Sequence, residues 1–406
     1  MARKLKNWIE SYEQYAKDAY CPDEFHLWTG LTVLAAALER KVWLLNGKIY
    51  FYPNIYTMLT TYAGVGKSTA IVRGADLLER LKHEFNPEFK IIAEQITEPG
   101  LVKVMEIRQE MAISETKRVF HSSGFFYASE ASASALQNTH GTFTSTITAM
   151  YDCPKVFRKV TKGESERPTE IHNVCFNMLA GATFDYLKNL VNESSVMGGF
   201  ASRIIYVINK ERIIREPKWG QSEFVDQSLQ EDLFQDLCEI HKLMGRFRPT
   251  PAFIKAWEDF QPESDRKLKA LNSPALESLA ARMSTNTTKI AMLLSIAESN
   301  DLVVDLPHWE RAMEMIETVS KDNAFILSQG AMADRNSQSG MNQVIGQTLA
   351  KLGGEATVKT LRRVALTHGI DADKMMRTID AMASADLISI DSNGVAKLVV
   401  DPYRYL

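Results

Sequence analysis

Cysteine is scarce in this chain: Cys21, Cys153, Cys175 and Cys238 are the four among 406 residues. They form no Cys-x-x-Cys pair and have no close histidine at ligand spacing, so neither a disulfide framework nor a zinc site is supported. Free buried thiols in a reducing compartment are expected. Long apolar runs are also missing. No segment approaches the roughly 18 continuous apolar residues of a membrane span, and the run Leu31–Leu38 stops at Glu39-Arg40-Lys41. The basic start, Met1 to Trp8, leads directly into no apolar signal core. A soluble, cytoplasmic protein with no membrane partner is expected. There is no excess of one charge: 47 Lys and Arg stand against 50 Asp and Glu, a net charge of −3. Bulk charge attracts no polyanion, so any nucleic-acid contact needs a local basic element. Internal repeats are absent too.

What is present is ordinary. Hydrophobic residues make up 45% and charged residues 24%, which excludes collagen-like, wholly disordered and coiled-coil chains. At about 150 residues per domain, the length allows two to four domains. Residues 1–50 read as helical, with Trp8, Ile9, Tyr12 and Tyr15 at helical spacing and Asp23 capping a helix to about Arg40. A hairpin turns at Asn46-Gly47. Residues 51–215 alternate strands and helices. Asn54–Thr61, Lys90–Ala93, Gly124–Ser129, Val174–Ala180 and Ile204–Ile208 are the strands, and 68–83 and Glu98–Gln109 are helices. That alternation predicts an α/β fold with a parallel sheet. Residues 216–330 read as several helices, including Leu276–Ser299 and Pro307–Gln329. Residues 331–341 form a polar linker. Residues 342–406 order three helices before a hairpin, the winged-helix sequence of elements.

One motif carries chemistry directly. Thr61-Tyr-Ala-Gly-Val-Gly-Lys-Ser-Thr69 sits between a strand and a helix. Glycines there let backbone N–H groups of Gly64, Val65 and Gly66 point at phosphate oxygens. Lys67 brings a point charge to the β- and γ-phosphates, Ser68 offers a hydroxyl to Mg2+, and the helix beginning near Ser68 and Thr69 presents its positive end. Thr61 stands where the strict pattern has glycine. ATP and Mg2+ are the expected ligands. A water-activating carboxylate belongs on a neighbouring strand, and Gly124–Ser129 leads into Glu130. Ser129 occupies the metal-side position usually held by aspartate, where it can hold a metal-bound water; a helix cap at Ser129 is the alternative. Thr183, or Asn177 earlier on its strand, suits a γ-phosphate sensor, and a plain cap at Thr183 is equally consistent. Arg203, after Gly198-Gly-Phe-Ala-Ser202, suits an arginine finger reaching a neighbouring subunit, or a surface salt bridge. Arg282 and Lys289 are weaker candidates for a second sensor. Between Glu130 and the fourth strand, a hairpin carries Lys155, Arg158, Lys159, Lys162 and Arg167 against Glu164, Glu166 and Glu170. That local positive excess suits a phosphate backbone, or simply solvent.

The order of these parts resembles the phage- and plasmid-borne P-loop ATPases of the primase–helicase type and, more distantly, AAA+ helicases of superfamily 3 and the minichromosome-maintenance group. The resemblance rests on Cys21-Pro-Asp-Glu-Phe-His-Leu-Trp-Thr-Gly-Leu31, Tyr52-Pro-Asn54, the phosphate loop, Ile96-Thr-Glu-Pro-Gly-Leu101, the strand into Glu130, Leu179-Ala-Gly-Ala-Thr183 and Gly198–Arg203. It covers about residues 20–330. It implies an AAA+ core with a helical lid over 216–330 and a homo-hexameric ring with ATP between subunits. Lys67 and Ser68 would be the phosphate-loop pair, Glu130 the catalytic glutamate, Arg203 the finger and the hairpin 155–172 a channel-lining element. It further implies a helicase or single-stranded DNA translocase for phage or mobile-element replication in a bacterial host, acting on single-stranded or forked DNA, with a primase or other replication partner. A related ATPase that does not itself unwind DNA is the alternative. No primase signature is visible.

Overall fold

Helices α1 (Trp8–Ala16) and α2 (Asp23–Leu38) precede the hairpin of β1 (Val42–Asn46) and β2 (Ile49–Phe51). Then come β3 (Tyr56–Thr60), α3 (Lys67–Glu84), β4 (Ile91–Ile92), α4 (Glu98–Glu106), β5 (Gln109–Ser114), β6 (Lys117–Ala128) and α5 (Thr142–Tyr151). A second hairpin of β7 (Val156–Lys159) and β8 (Thr169–His172) leads to β9 (Val174–Ala182), α6 (Phe184–Leu190) and β10 (Ile204–Ile208). The computed structural model describes the chain except residues 1–2, 18–20, 93, 115–116, 138–140, 160–167, 191–198, 212–226, 270–279, 322–340, 343–344, 347, 350–351, 368–371, 385–386, 393 and 400–406.

Five parallel strands lie in the order β10-β3-β9-β6-β4, and β5 adds antiparallel to β6. Numbered by their appearance in the chain, the five run 5-1-4-3-2. The two strands at the heart of this order, β3 and β9, are buried at every position. That is why they read as continuous apolar runs rather than alternating ones. β3 therefore lies between the last strand and the fourth, with its carboxyl end where the chain direction across the sheet reverses, the place where open α/β sheets bind ligands.

α2 is apolar nearly all round, and it is buried nearly all round. Its Thr32 hydroxyl shares a 2.8 Å hydrogen bond with that of Thr57 in β3. The first residue of α2 is Asp23, and the N-cap is Pro22, which makes no side-chain cap, so the capping role expected of Asp23 is not made. A single core joins Trp8, Ile9, the α2 side chains and Leu59 to Leu233, Leu237, Leu293 and Ile316. The regions 1–50, 51–215 and 216–330 thus share one core rather than three. The helices of the last region, among the described residues, are Gln227–His241, Pro251–Lys269, Met283–Glu298 and Leu306–Lys321.

The region between β4 and α5 differs from the sequence reading. The fourth helix ends at Glu106, not Gln109, and β5 follows it. The third parallel strand starts at Lys117, not Gly124. Several inward residues of this added hairpin are polar, which hides it from a search for apolar runs. They are satisfied locally: the Gln109 amide donates to Glu39 Oε1 at 2.6 Å, the Ser123 N–H donates to Gln109 Oε1 at 2.8 Å, and His121 Nδ1 pairs with the Ser123 hydroxyl at 2.9 Å.

The chain divides into two compact units, one reaching Phe325 without residues 191–193 and one from Ile326 onward. In the second, residues 341–342, 345–346 and 348–349 are helical, followed by strand Glu355–Thr357, helices Val358–Thr367 and Ala372–Ser384, and strands Ile388–Ile390 and Val395–Leu398. The last strand is central in a three-stranded antiparallel sheet. The strand Glu355–Thr357 was not expected. The core holds Ile345, Leu349, Leu361, Met375, Ile379 and Ile388. Linker residues 331–340 lie outside the described residues. No helix among the described residues is long and apolar enough to cross a membrane.

Candidate nucleotide site

The loop after β3 turns sharply into α3. Gly64 has φ +83° and Gly66 φ +69°, a region that strongly favours glycine. Lys67 opens the 18-residue helix α3. Its side chain is 5% exposed and its ammonium donates to the Tyr62 carbonyl at 3.2 Å. Burial lowers the Lys67 pKa, and the Glu130 carboxylate acts in the opposite direction. Lys67 and Glu130 thus share one electrostatic environment. Ser68 and Thr69 are exposed. Thr61 extends β3 by one residue, donating its N–H to Ala182 O at 3.3 Å. The hydroxyls of Thr60 and Thr61 are buried with no hydrogen-bond partner among the described residues.

The carboxyl ends of the next two strands complete this end of the sheet. Ala182 of β9 pairs with Thr60, and Ala180 pairs with Ala128 of β6. β6 runs straight into Ser129 and Glu130. Glu130 is extended and precedes a short 3-10 turn over Ala131–Ala133, with the Ser132 hydroxyl donating to its Oε1 at 3.1 Å. The cap expected at Ser129 therefore falls one residue later. The Ser129 N–H donates to Glu94 Oε1 at 2.7 Å. A carboxylate from the end of β4 thus stands beside the position where serine replaces the usual aspartate. Gly181 sets the spacing: a Cβ there would lie 2.4 Å from the Ser129 carbonyl oxygen. Thr183 follows directly, its hydroxyl accepting the Tyr186 N–H at 3.4 Å, so it caps α6 beside the phosphate loop. The Tyr62 ring meets the Phe184 ring edge-on at 4.9 Å between centroids.

Asn177 does not belong here. Its Oδ1 accepts the Ile55 N–H at 3.0 Å and its amide donates to Ala35 O at 3.3 Å. It fastens β3 and α2 from the middle of β9, which corrects its assignment as a γ-phosphate sensor.

Other candidates gather at the opposite, amino end of the sheet. Arg203 immediately precedes β10, whose first residue pairs with Tyr56 at the start of β3. Its guanidinium donates to Asp152 Oδ2 at 2.5 Å and to Gly199 O at 2.8 Å. Arg282 donates to Asp152 Oδ1 at 3.4 Å. Burial would raise the Asp152 pKa, but the two arginines outweigh it and hold the carboxyl below its usual range. Lys289 is buried, donating to both the backbone oxygen and Oδ1 of Asn54 at 2.9 Å, with its ammonium 4.0 Å from the centre of the Tyr151 ring. A five-residue strand spans roughly 16 Å, so this cluster is about that far from the phosphate loop of the same chain. Arg203 is therefore too far from its own loop to act on a ligand held there. Arg282 and Lys289 are corrected as second sensors for their own loop, because ion pairing and burial hold them at the wrong end.

The β7–β8 hairpin rises from the same amino end, with Val156 opposite His172 and Lys159 opposite Thr169. Arg158 pairs with Glu170 at 2.7 Å and Lys159 with Glu98 at 3.0 Å. Lys155 Nζ lies 6.0 Å from the centre of the Tyr50 ring. Lys162 lies outside the described residues. Two of the cations expected on DNA thus have carboxylate partners within the chain.

The residues at the carboxyl end fit a nucleoside triphosphate. The glycines take left-handed turns, and the Thr60 and Thr61 hydroxyls are buried without a partner among the described residues. Among the described residues no group of three His, Cys, Asp or Glu side chains forms a metal cluster. Mg2+ at such a loop needs few protein ligands because phosphate oxygens and water supply the rest, and Ser68 and Ser129 suit that part. Compared with known proteins, the chain matches no family model and no curated protein. Sequence reasoning missed Glu94, Gly181 and Asp152. Glu94 carried a usable signal, since it follows a short apolar strand and so belongs at a carboxyl edge.

Proposed function

We propose that the chain is a Mg2+-dependent ATPase of AAA+ type, working as a homo-hexameric ring helicase or single-stranded DNA translocase in phage or mobile-element replication. The observation that carries this reading is the meeting of Lys67, Ser129, Glu130 and Thr183 at one end of a 5-1-4-3-2 sheet, with the Lys67 ammonium in the field of Glu130. The loop N–H groups and Lys67 bind the β- and γ-phosphates. Glu130 orients water and accepts its proton as the γ-phosphoryl group leaves. Ser68, and Ser129 through a water, would hold Mg2+, which would supply neutralisation of phosphate charge. Arg203 of a neighbouring subunit stabilises the charge of the transition state, a role consistent with its distance from its own loop. The order of helices and hairpin in the second unit supports a winged helix, which docks a primase or another replication partner.

Lys67→Ala should abolish ATP binding. Glu130→Gln should leave ATP bound and lower turnover by at least about 100-fold. Nucleotide binding by equilibrium dialysis and phosphate release check both. ATP affinity like that of the wild type in Lys67→Ala would remove the ATPase reading.

The pairing of Arg158 with Glu170 and Lys159 with Glu98 favours a second reading, an ATPase that does not itself unwind DNA, such as a helicase loader, packaging motor or defence switch. Unwinding of a forked duplex by this chain alone separates the two.

A further inference from the structure

The β1–β2 hairpin places an aromatic pair next to the root of the basic hairpin. Tyr50 lies in β2 and Tyr52 just beyond its end, and their rings stack at 6.4 Å between centroids with planes 13° apart. Tyr52 is clamped from behind, with the Arg40 guanidinium 4.2 Å from its centroid. Arg40 is itself buried and donates to the carbonyls of Cys153 and Val174. Tyr52 is therefore anchored against a buried side chain, while Tyr50 remains 47% exposed. Lys155, the residue just before β7, has its ammonium 6.0 Å from the centre of the Tyr50 ring.

Beside the pair lies a cavity of about 140 Å3 lined by Tyr50, Tyr52, Tyr151, Asp152, Arg282 and Lys289 among others. That size matches cavities that hold a single aromatic ring. Asp152 is its one carboxylate, already paired with Arg203 and Arg282. Aromatic faces alternating with cations are what single-stranded nucleic acid binds, bases on rings and phosphates on cations. Here the exposed Tyr50 is flanked by Lys155, at the root of the β7–β8 hairpin, whose Arg158 and Lys159 are paired with carboxylates.

We propose that Tyr50 is a stacking platform for one base of a single-stranded nucleic acid, with Lys155 on the adjoining phosphate. This rests on the nucleic-acid reading above, and adds a specific site to it at the amino end of the sheet.

The test is equilibrium binding of the full chain to a fluorescent oligo-dT and to a matched strand of abasic sugars. Tyr50→Ala should bind oligo-dT at least about fivefold more weakly than the wild type, and Tyr50→Phe about as tightly as the wild type, because the ring face is kept. On the abasic strand wild type and Tyr50→Ala should be equal. Unchanged affinity of Tyr50→Ala for oligo-dT, or an equal loss on the abasic strand, would overturn the platform while leaving the nucleic-acid reading intact. Failure of the wild type to bind either strand would overturn that reading, and the platform with it. Sedimentation of Tyr50→Ala as a smaller particle than the wild type would assign the ring to a subunit interface instead. Photocrosslinking of wild-type protein to 5-iododeoxyuridine oligonucleotides needs no variant to fold. The crosslinked peptide should contain Tyr50, and crosslinks confined to other segments would sink the proposal.

Discussion

Gly181, in the strand between β3 and β6, decides how closely the Ser129–Glu130 segment can approach β9. A methyl group there would meet the Ser129 backbone, which has no flexible end to yield, and the Ile71 side chain lies 3.1 Å away on another side. Gly181→Ala should therefore shift the Ser129–Glu130 segment. The expected result is a loss of about 1–3 kcal/mol in stability by overpacking, with turnover falling further than ATP affinity, measured by chemical denaturation and ATPase kinetics. Turnover like that of the wild type in a destabilised Gly181→Ala would separate packing from catalysis. At this scale the turn between β3 and α3 was legible, because Gly64 to Ser68 form one short local segment. Glu130 was legible for the same reason, as the polar end of an apolar run. Arg203 was legible as an arginine before a strand, but its partner Asp152 was not. The two are 51 residues apart, and the pair forms only when α5 and β10 meet at the same end of the sheet. Asn177 misled in the converse way: it sits on the right strand, but its distance along that strand puts it in the core.

Between elements, the end of α2 is joined to the β5–β6 hairpin and the helix Gln227–His241 by a buried polar cluster. Glu39 accepts from Gln109 and pairs with Lys41 at 3.0 Å, while His121 Nε2 lies 3.9 Å from its carboxylate. His241 donates Nδ1–H to Ala37 O at 2.7 Å and accepts from the Asn86 amide at Nε2, so the neutral ring satisfies both nitrogens. Burial pushes His121 and His241 down to about 4. Burial alone would raise Glu39, but Lys41, His121 and His241 pull it down to about 2. All three groups hold fewer protons folded than unfolded as pH drops. Unfolding thus takes up protons, and stability is lost as the pH falls. The histidines act between their ordinary 6.5 and about 4, and Glu39 between 4.5 and about 2. Between pH 7 and pH 5 the loss should be on the order of 1–2 kcal/mol per histidine, read from urea unfolding at each pH. His121→Gln should be less stable at pH 7 yet lose less on acidification. An identical pH slope in that variant would remove His121 from the cluster's titration. This network also explains why the hairpin escaped the sequence reading. Its buried side chains are polar, and only a partner from α2 makes them suitable for burial. The parallel strands were legible because their burial needs nothing but apolar side chains.

For the whole molecule, the separation of cores governs what can be removed. The first core runs from Trp8 to Ile316 and takes in both N-terminal helices and the helices after β10. The second runs from Met341 to Ala396 and contains no residue of the first. The sequence marked the polar stretch after residue 330 as a boundary, and the division between units falls at Phe325 and Ile326. It gave no sign that residues 1–50 belong inside the main unit, because the burial of α2 on all sides depends on helices more than 200 residues later. A chain ending at Phe325 should therefore stay soluble, unfold cooperatively and keep its basal ATPase, whereas a chain beginning after Asn46 should not fold. Small units bury less of their surface and are the less stable ones. Calorimetry of the full chain should then show two transitions, the lower belonging to the second unit. Truncation at Phe325 should remove the lower transition and leave the upper at the same temperature. Loss of both transitions on truncation, or a shift of the upper one, would mean that the two cores stabilise each other and that the division at Phe325 is not one of independent folding.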